Sequence, residues 1–286
     1  MDGFIIVNKP KDMTSHAVCN KIRSIMKTKK VGHSGTLDPL ATGVLVVAVG
    51  KATKLINYLE NQDKTYVAEA LFGIQTDSYD ILGNTLNCDE NSNPSNEEID
   101  YALLKLKESE TQIPPIYSAI KVNGKKLYDY AKNGEEVEIL PRAIKIHSLK
   151  RVNDIKEKKV LIEVSANKGF YVRSLINDLG LELNTYAAMS ALTRTKAGLY
   201  DINMAQTLEE IALNGPKIHT IEETFAHLKK IDVNDYIAKL VRNGVVLDER
   251  QFNLNEMFKI YHNNKLIAIY EPFDDKKYKL VITLED

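Results

Sequence analysis

Three glycines and a proline bracket one carboxylate in Gly32-His33-Ser34-Gly35-Thr36-Leu37-Asp38-Pro39-Leu40-Ala41-Thr42-Gly43, and an unbroken apolar run, Val44-Leu45-Val46-Val47-Ala48-Val49, follows at once. A short continuous run of this kind is the pattern of a strand covered on both faces, so the fold must supply apolar layers on either side of a sheet. The glycines admit backbone angles closed to other residues, and Pro39 fixes the chain just past the acid, so the segment reads as a stiffened loop anchored on a core strand. Asp before Pro also begins ordinary turns, so a turn-capping Asp38 stands here beside a reactive one. Two other readings fail on spacing. A Gly-x-Ser-x-Gly elbow needs glycine where Thr36 stands, and a phosphate loop ending at Gly50-Lys51 needs glycine at Leu45 and a hydroxyl at Ala52.

At 286 residues and 44% hydrophobic content, the chain can bury a sizeable core and is expected to form one large domain and one small one. No apolar run approaches the roughly 18 residues of a membrane span, and Met1-Asp2-Gly3-Phe4 lacks the basic start of a secretory signal, so a cytoplasmic protein with no membrane partner is expected. Cys19 and Cys88 stand without a Cys-x-x-Cys pair or a histidine cluster, which supports neither a disulfide framework nor a zinc site. A net charge of −1 conceals blocks of opposite sign. Residues 1–60 and 111–175 are basic, and residues 61–110 between them are acidic. Such blocks suit a polyanionic partner, and they equally suit solvated surfaces.

Periodicity predicts strands over Gly3 to Val7, Tyr66 to Phe72, Ile139 to Leu149 and Val160 to Ala166. Helices are predicted over Ser15 to Met26 and Tyr171 to Leu183, with Arg173 in the first turn of the second. Ser95 with Glu98, Thr207 with Glu210 and Thr220 with Glu223 have capping-box spacing. Between Pro114 and Gly134, tyrosines alternate with lysines, including Lys121 and Lys125. That mixture suits unpaired bases and phosphates, or a helix with Leu127, Tyr130 and Ala131 inward and its lysines solvated. Beyond a boundary near Lys229 to Val233, a helix at Tyr236 to Arg242 and three short strands suggest a small β-rich unit.

The motif Gly35-Thr36-Leu37-Asp38-x-x-x-x-Gly43, with His33 before it, resembles the catalytic motif of the pseudouridine synthases of the TruB family. Val7-Asn8-Lys9-Pro10, Lys64-Thr65-Tyr66, Pro114 to Lys121 and Lys168 to Leu175 resemble the same family in the same order. The resemblance implies an α+β catalytic domain over residues 1–230 with a mixed, largely antiparallel sheet, and a thumb-like RNA-contacting insertion at about 114–134. Residues 231–286 would form a short PUA-like RNA-binding domain.

The implied reaction isomerises a flipped-out uridine in the T loop of tRNA, with no metal, nucleotide or organic cofactor and no protein partner implied. Asp38 would be the catalytic carboxylate, acting by attack at C1′ or proton removal at C2′. Arg173 would pair with it through two hydrogen bonds, and Tyr66 would stack on the uracil and help remove the C5 proton. Lys9, His33, Tyr171, Lys168 and Leu192 match other positions of the family's site, and Lys121 and Lys125 would meet RNA. Ser34, Phe170 and Thr193 depart from the residues usual there. The alternatives are a protein that binds or folds RNA at the T arm, and a synthase acting on another RNA.

Overall fold

A computed structural model describes residues 2–285. Seven strands follow one another across the large sheet in the order Ile146–Arg151, Lys159–Ala166, Lys64–Phe72, Ala187–Ala197, Thr42–Val49, Gly3–Lys9 and Ile218–His219. Val31–Ser34 and Tyr200–Asp201 pair at its sides, and every pairing is antiparallel except Ala187–Ala197 with Thr42–Val49. The sheet is therefore mixed and largely antiparallel.

Packing accounts for the apolar run. Leu45, Val47 and Val49 join Ile5 and Val7 beneath the Ser15–Met26 and Leu208–Asn214 helices. Val44, Val46 and Ala48 point the other way, to a core shared with Phe4 and Ile6. Side chains alternate across a strand, so a strand covered on both sides has no polar position to spare. Farther along the sheet, Ala68, Ile162, Val164 and Met189 pack against Ile99 and Leu103 of the Asn96–Lys107 helix and Leu175 and Leu179 of the Val172–Glu182 helix.

Ser15–Met26 forms a helix capped by Thr14, and all three predicted capping boxes are formed. Several elements differ from the sequence reading, among them the unread strand Ala187–Ala197. The strand expected over Ile139 to Leu149 is interrupted: Arg142–Ala143 pairs with Thr111–Gln112, and only Ile146–Arg151 joins the large sheet, with a bulge between Ile146 and Ser148. Pro141 has no N–H to give a ladder, and Leu140 is exposed, which explains the break. Val31–Ser34, not read as a strand, forms a hairpin with Thr42–Val49, and the hairpin's connecting loop carries Asp38.

A second sheet runs in the order Lys229–Asp232, Phe258–His262, Lys265–Asp274, Lys277–Thr283 and Leu247–Asp248, beside the helix Asp235–Arg242. Its first strand spans the boundary read at residues 230 and 231. Ile269 and Ile282 from this sheet complete the core around Phe4, Ile6 and Val46. A chain ending at Leu228 uncovers that apolar face. We expect its melting temperature to fall by about 10 °C or more, or the fragment to aggregate. Thermal unfolding followed by circular dichroism checks this, and an unchanged melting curve would contradict the shared core.

Candidate active site

The loop from Gly35 to Ala41 is held from three directions. Lys9 is fully buried and its Nζ donates to the carbonyls of Pro10, Met13 and Pro39 at 2.9, 2.6 and 3.3 Å. Ser15 Oγ accepts from Leu37 N at 2.9 Å and donates to Leu37 O at 3.1 Å. Leu37, Leu40 and Ala41 enter the core. On the third side, Gly43 has φ +98°, and a Cβ there would lie 2.3 Å from the carbonyl oxygen of Arg194, so only glycine lets the two strands approach this closely. The Arg194 guanidinium completes the clasp, giving Nε to Val44 O at 2.7 Å and Nη2 to Gly35 O at 3.1 Å.

Asp38 stands out of this packed base with its side chain 40% exposed, 3.2 Å through Oδ2 from Arg173 Nε. The expected two-bond fork is not formed. Arg173 divides its donors: Nη1 reaches Ser78 O at 3.3 Å and Nη2 reaches Tyr117 O at 3.0 Å. A second carboxylate, Asp80, lies 3.7 Å from Nη1 and is itself held by Ser78 Oγ at 2.9 Å and Leu82 N at 3.0 Å. Buried among these acceptors, the guanidinium has little freedom to rotate. The helix that carries it is fixed at its start by Gln112, whose side chain accepts from Tyr171 N at 2.9 Å and donates to Tyr171 O at 3.1 Å.

A cavity of about 570 Å³ opens at Asp38 and brings together Tyr66, Lys168, Tyr171, Arg173 and Leu192. Tyr66 and Arg194 are register partners on neighbouring strands, so the pleat sets their side chains at the same mouth. Burial raises the pKa of the Tyr171 hydroxyl, which stays protonated at neutral pH. Tyr117, Ser118, Lys126 and Tyr128, from the tyrosine- and lysine-rich segment between Pro114 and Gly134, form one wall.

Four residues expected at the site do not line the cavity. Lys9 is the buried tie already described. His33 lies on the hairpin, its Nδ1 without a hydrogen-bond partner among the described residues; burial, reinforced by Arg194 and His16 against Glu60, lowers its pKa, so the ring is neutral at pH 7. Lys125 is engaged with Glu135 at 2.6 Å and lies 4.6 Å from the centre of the Tyr130 ring, while Lys121 is exposed on the same small hairpin. Asp80, Lys64 and Arg194 were not chosen from sequence. Lys64 stood inside a recognised motif and Arg194 beside Thr193, so both were in view, but only the fold reveals what they face.

Among the described residues, no group of three or more His, Cys, Asp or Glu is arranged to hold a metal ion, and no helix is long and apolar enough to cross a membrane. The cavity joins a half-exposed carboxylate, an immobilised guanidinium, five aromatic rings and an apolar wall. Such a set can receive a flat ring and act on the group attached to it.

Residues 23–172 match the model of the TruB family pseudouridylate synthase N-terminal domain, and residues 173–235 match the tRNA pseudouridylate synthase B C-terminal domain. The chain is 40% identical over 282 residues to the tRNA pseudouridine synthase B of Aster yellows witches'-broom phytoplasma, covering 97% of this chain and 98% of that one. It is likewise 40% identical over 281 residues to the enzyme of the same name from Acholeplasma laidlawii, covering 98% and 99%. A crystal structure of a Cbf5–Nop10–Gar1 complex shares the fold, with a TM-score of 0.70 over 99% of this chain and 84% of that one at 24% identity.

Proposed function

The chain belongs to the TruB family of pseudouridylate synthases, and from that premise we propose that it isomerises a T-loop uridine of tRNA with Asp38 as the catalytic carboxylate. The observation that carries the residue assignment is the single cavity lined by Asp38, Tyr66 and Arg173.

The reaction breaks the bond between C1′ and N1, turns the uracil, and joins C1′ to C5. The C5 proton is lost, and N1 gains a proton. Asp38 starts the sequence, either by bonding to C1′ as N1 departs or by taking the C2′ proton. Arg173 aims the carboxylate through its Nε. Tyr66 stacks on the extruded ring and helps remove the C5 proton, and Leu192 closes the apolar side. Tyr171 and Lys168 border the entry, and the thumb would close on the RNA. A second, more open groove of about 700 Å³ is lined by Asp77 and by Glu135, Glu136 and Glu138 just after the thumb, so the RNA backbone is expected to avoid that side.

Incubating the purified chain with an unmodified tRNA transcript and mapping pseudouridine chemically tests this reading. One modified uridine is expected, in the T loop. Absence of product from folded protein, or product confined to another arm, would overturn it.

Substitution separates the two roles of Tyr66. Tyr66→Phe keeps the ring and loses the hydroxyl, whereas Tyr66→Leu loses both. We expect both to slow single-turnover isomerisation, with Leu at least about tenfold worse if stacking matters beside proton transfer. Equal defects would assign the residue to proton transfer, and normal activity in both would remove it from the site.

A further inference from the structure

Seven charged residues line the cavity: Asp38, Glu60, Lys64, Lys126, Lys168, Arg173 and Arg194. The two carboxylates already have cations, Asp38 with Arg173 at 3.2 Å and Glu60 with Lys168 at 3.6 Å. Lys126 belongs to the thumb, which leaves Lys64 and Arg194 at the base.

Arg194 is 1% exposed and Lys64 7%, and neither forms an ion pair with any described carboxylate. Arg194 gives Nε and Nη2 to backbone carbonyls, and Nη1 has no hydrogen-bond partner among the described residues. Lys64 Nζ donates to Glu60 O at 2.9 Å and Gln62 O at 2.7 Å, so one of its three N–H groups is unused. Both side chains flank Gly35: a Cβ built there would lie 3.4 Å from Lys64 Cε and 3.5 Å from Arg194 Nη1. Two adjacent buried cations without a counter-ion are unfavourable unless an anion joins them. The pKa of Lys64 is brought down to about 8, first by burial and then by Arg194 and Lys168 against Glu60 and Asp63.

We propose that Lys64 and Arg194 form a phosphate subsite that receives the phosphodiester attached to the target uridine. This rests on the reading of the cavity as the uridine site. Gly35 is three residues from Asp38, at most about 10 Å along the chain. With the ribose at Asp38, the phosphate bonded to that ribose is the anion within reach, while the uracil ring enters uncharged. Guanidinium and ammonium groups at a buried wall bind phosphate through charge-assisted hydrogen bonds, and Gly35 removes the side chain that would stand between them. The subsite fixes the register of the chain, so that one uridine and not its neighbour meets Asp38.

The test uses the full-length protein and a T-arm stem-loop RNA carrying a neutral methylphosphonate in turn on each side of the target uridine. Single-turnover isomerisation is measured across RNA concentration for wild type, Lys64→Gln and Lys64→Arg. For wild type, one of the two replacements should raise the half-saturating concentration about tenfold, and Lys64→Gln should do the same with native RNA. Combined, they should be no worse than either alone, because both remove the same contact. Lys64→Arg should stay near wild type.

Effects that multiply would overturn the subsite. So would a Lys64→Gln defect confined to the saturating rate, which would place the charge on the departing base. If Lys64→Gln proves misfolded by circular dichroism, a pH series on wild type decides. Half-saturation on native RNA should worsen between pH 7 and 9 as Lys64 loses its proton, and the change should vanish with the sensitive methylphosphonate; persistence there would overturn the proposal. No product from wild type and native RNA would overturn the reading of the cavity itself.

Discussion

Asp38→Asn is expected to lower pseudouridine formation by about 10³-fold or more while leaving tRNA affinity within a few-fold. The amide has the size of the carboxylate but cannot attack a sugar carbon or accept its proton with comparable strength. The loop around it depends on Lys9, Ser15 and Arg194, none of which bonds to the Asp38 side chain, so the substitution should leave the scaffold standing. Single-turnover assays beside filter-binding measurements check both halves. Substantial isomerisation by a verified Asp38→Asn sample would remove the carboxylate from the chemistry. Loss of binding in proportion to loss of rate would instead assign Asp38 to RNA recognition, the role expected of a protein that only binds or folds the T arm.

Arg173→Lys should cost about 10²-fold or more in the saturating rate, although it keeps the charge. Three nitrogens of Arg173 face separate partners: Nε faces Asp38, Nη1 faces Ser78 O and Asp80, and Nη2 faces Tyr117 O. A single ammonium cannot reach all of them. If it stays with Asp80 and Ser78, Asp38 loses its cation; if it moves to Asp38, the buried Asp80 is left unpaired, which is destabilising. The rate loss should therefore accompany a lower melting temperature. Near wild-type turnover would exclude Arg173 from the site, and an unaltered melting curve with low activity would show that Asp80 does not depend on it.

The parts legible in the sequence were those governed by local rules. The apolar run at Val44–Val49 declares a doubly covered strand, and capping boxes at Ser95, Thr207 and Thr220 declare helix starts, because both follow from neighbours in the chain. Asp38, Tyr66 and Arg173 could be named because their motifs resemble a family. Lys9 was matched to the site by motif alone, and only the fold shows its ammonium donating to three backbone carbonyls. Lys125 likewise lies in a basic, aromatic segment, yet Glu135, ten residues on, claims its charge. Asp80 and Arg194 depend on contacts across 93 and 159 residues, to Arg173 and Gly35, and no short-range pattern encodes such pairs.

The clasp of Arg194 on Gly35 and Val44 also has a meaning in time. The segment bearing Asp38 leaves the ribosome early, but the strand that meets Gly43 and supplies the guanidinium is made about 150 residues later. At roughly 5 to 20 residues per second, about 8 to 30 seconds separate the two events. Throughout that interval the nascent hairpin lacks its parallel neighbour, and the strand residue Gly43, at positive φ, has nothing to close against. The reactive loop thus acquires its working shape only after most of the chain has been translated, and a product cut short before Ala187 would carry the whole Asp38 motif without the geometry that makes it useful.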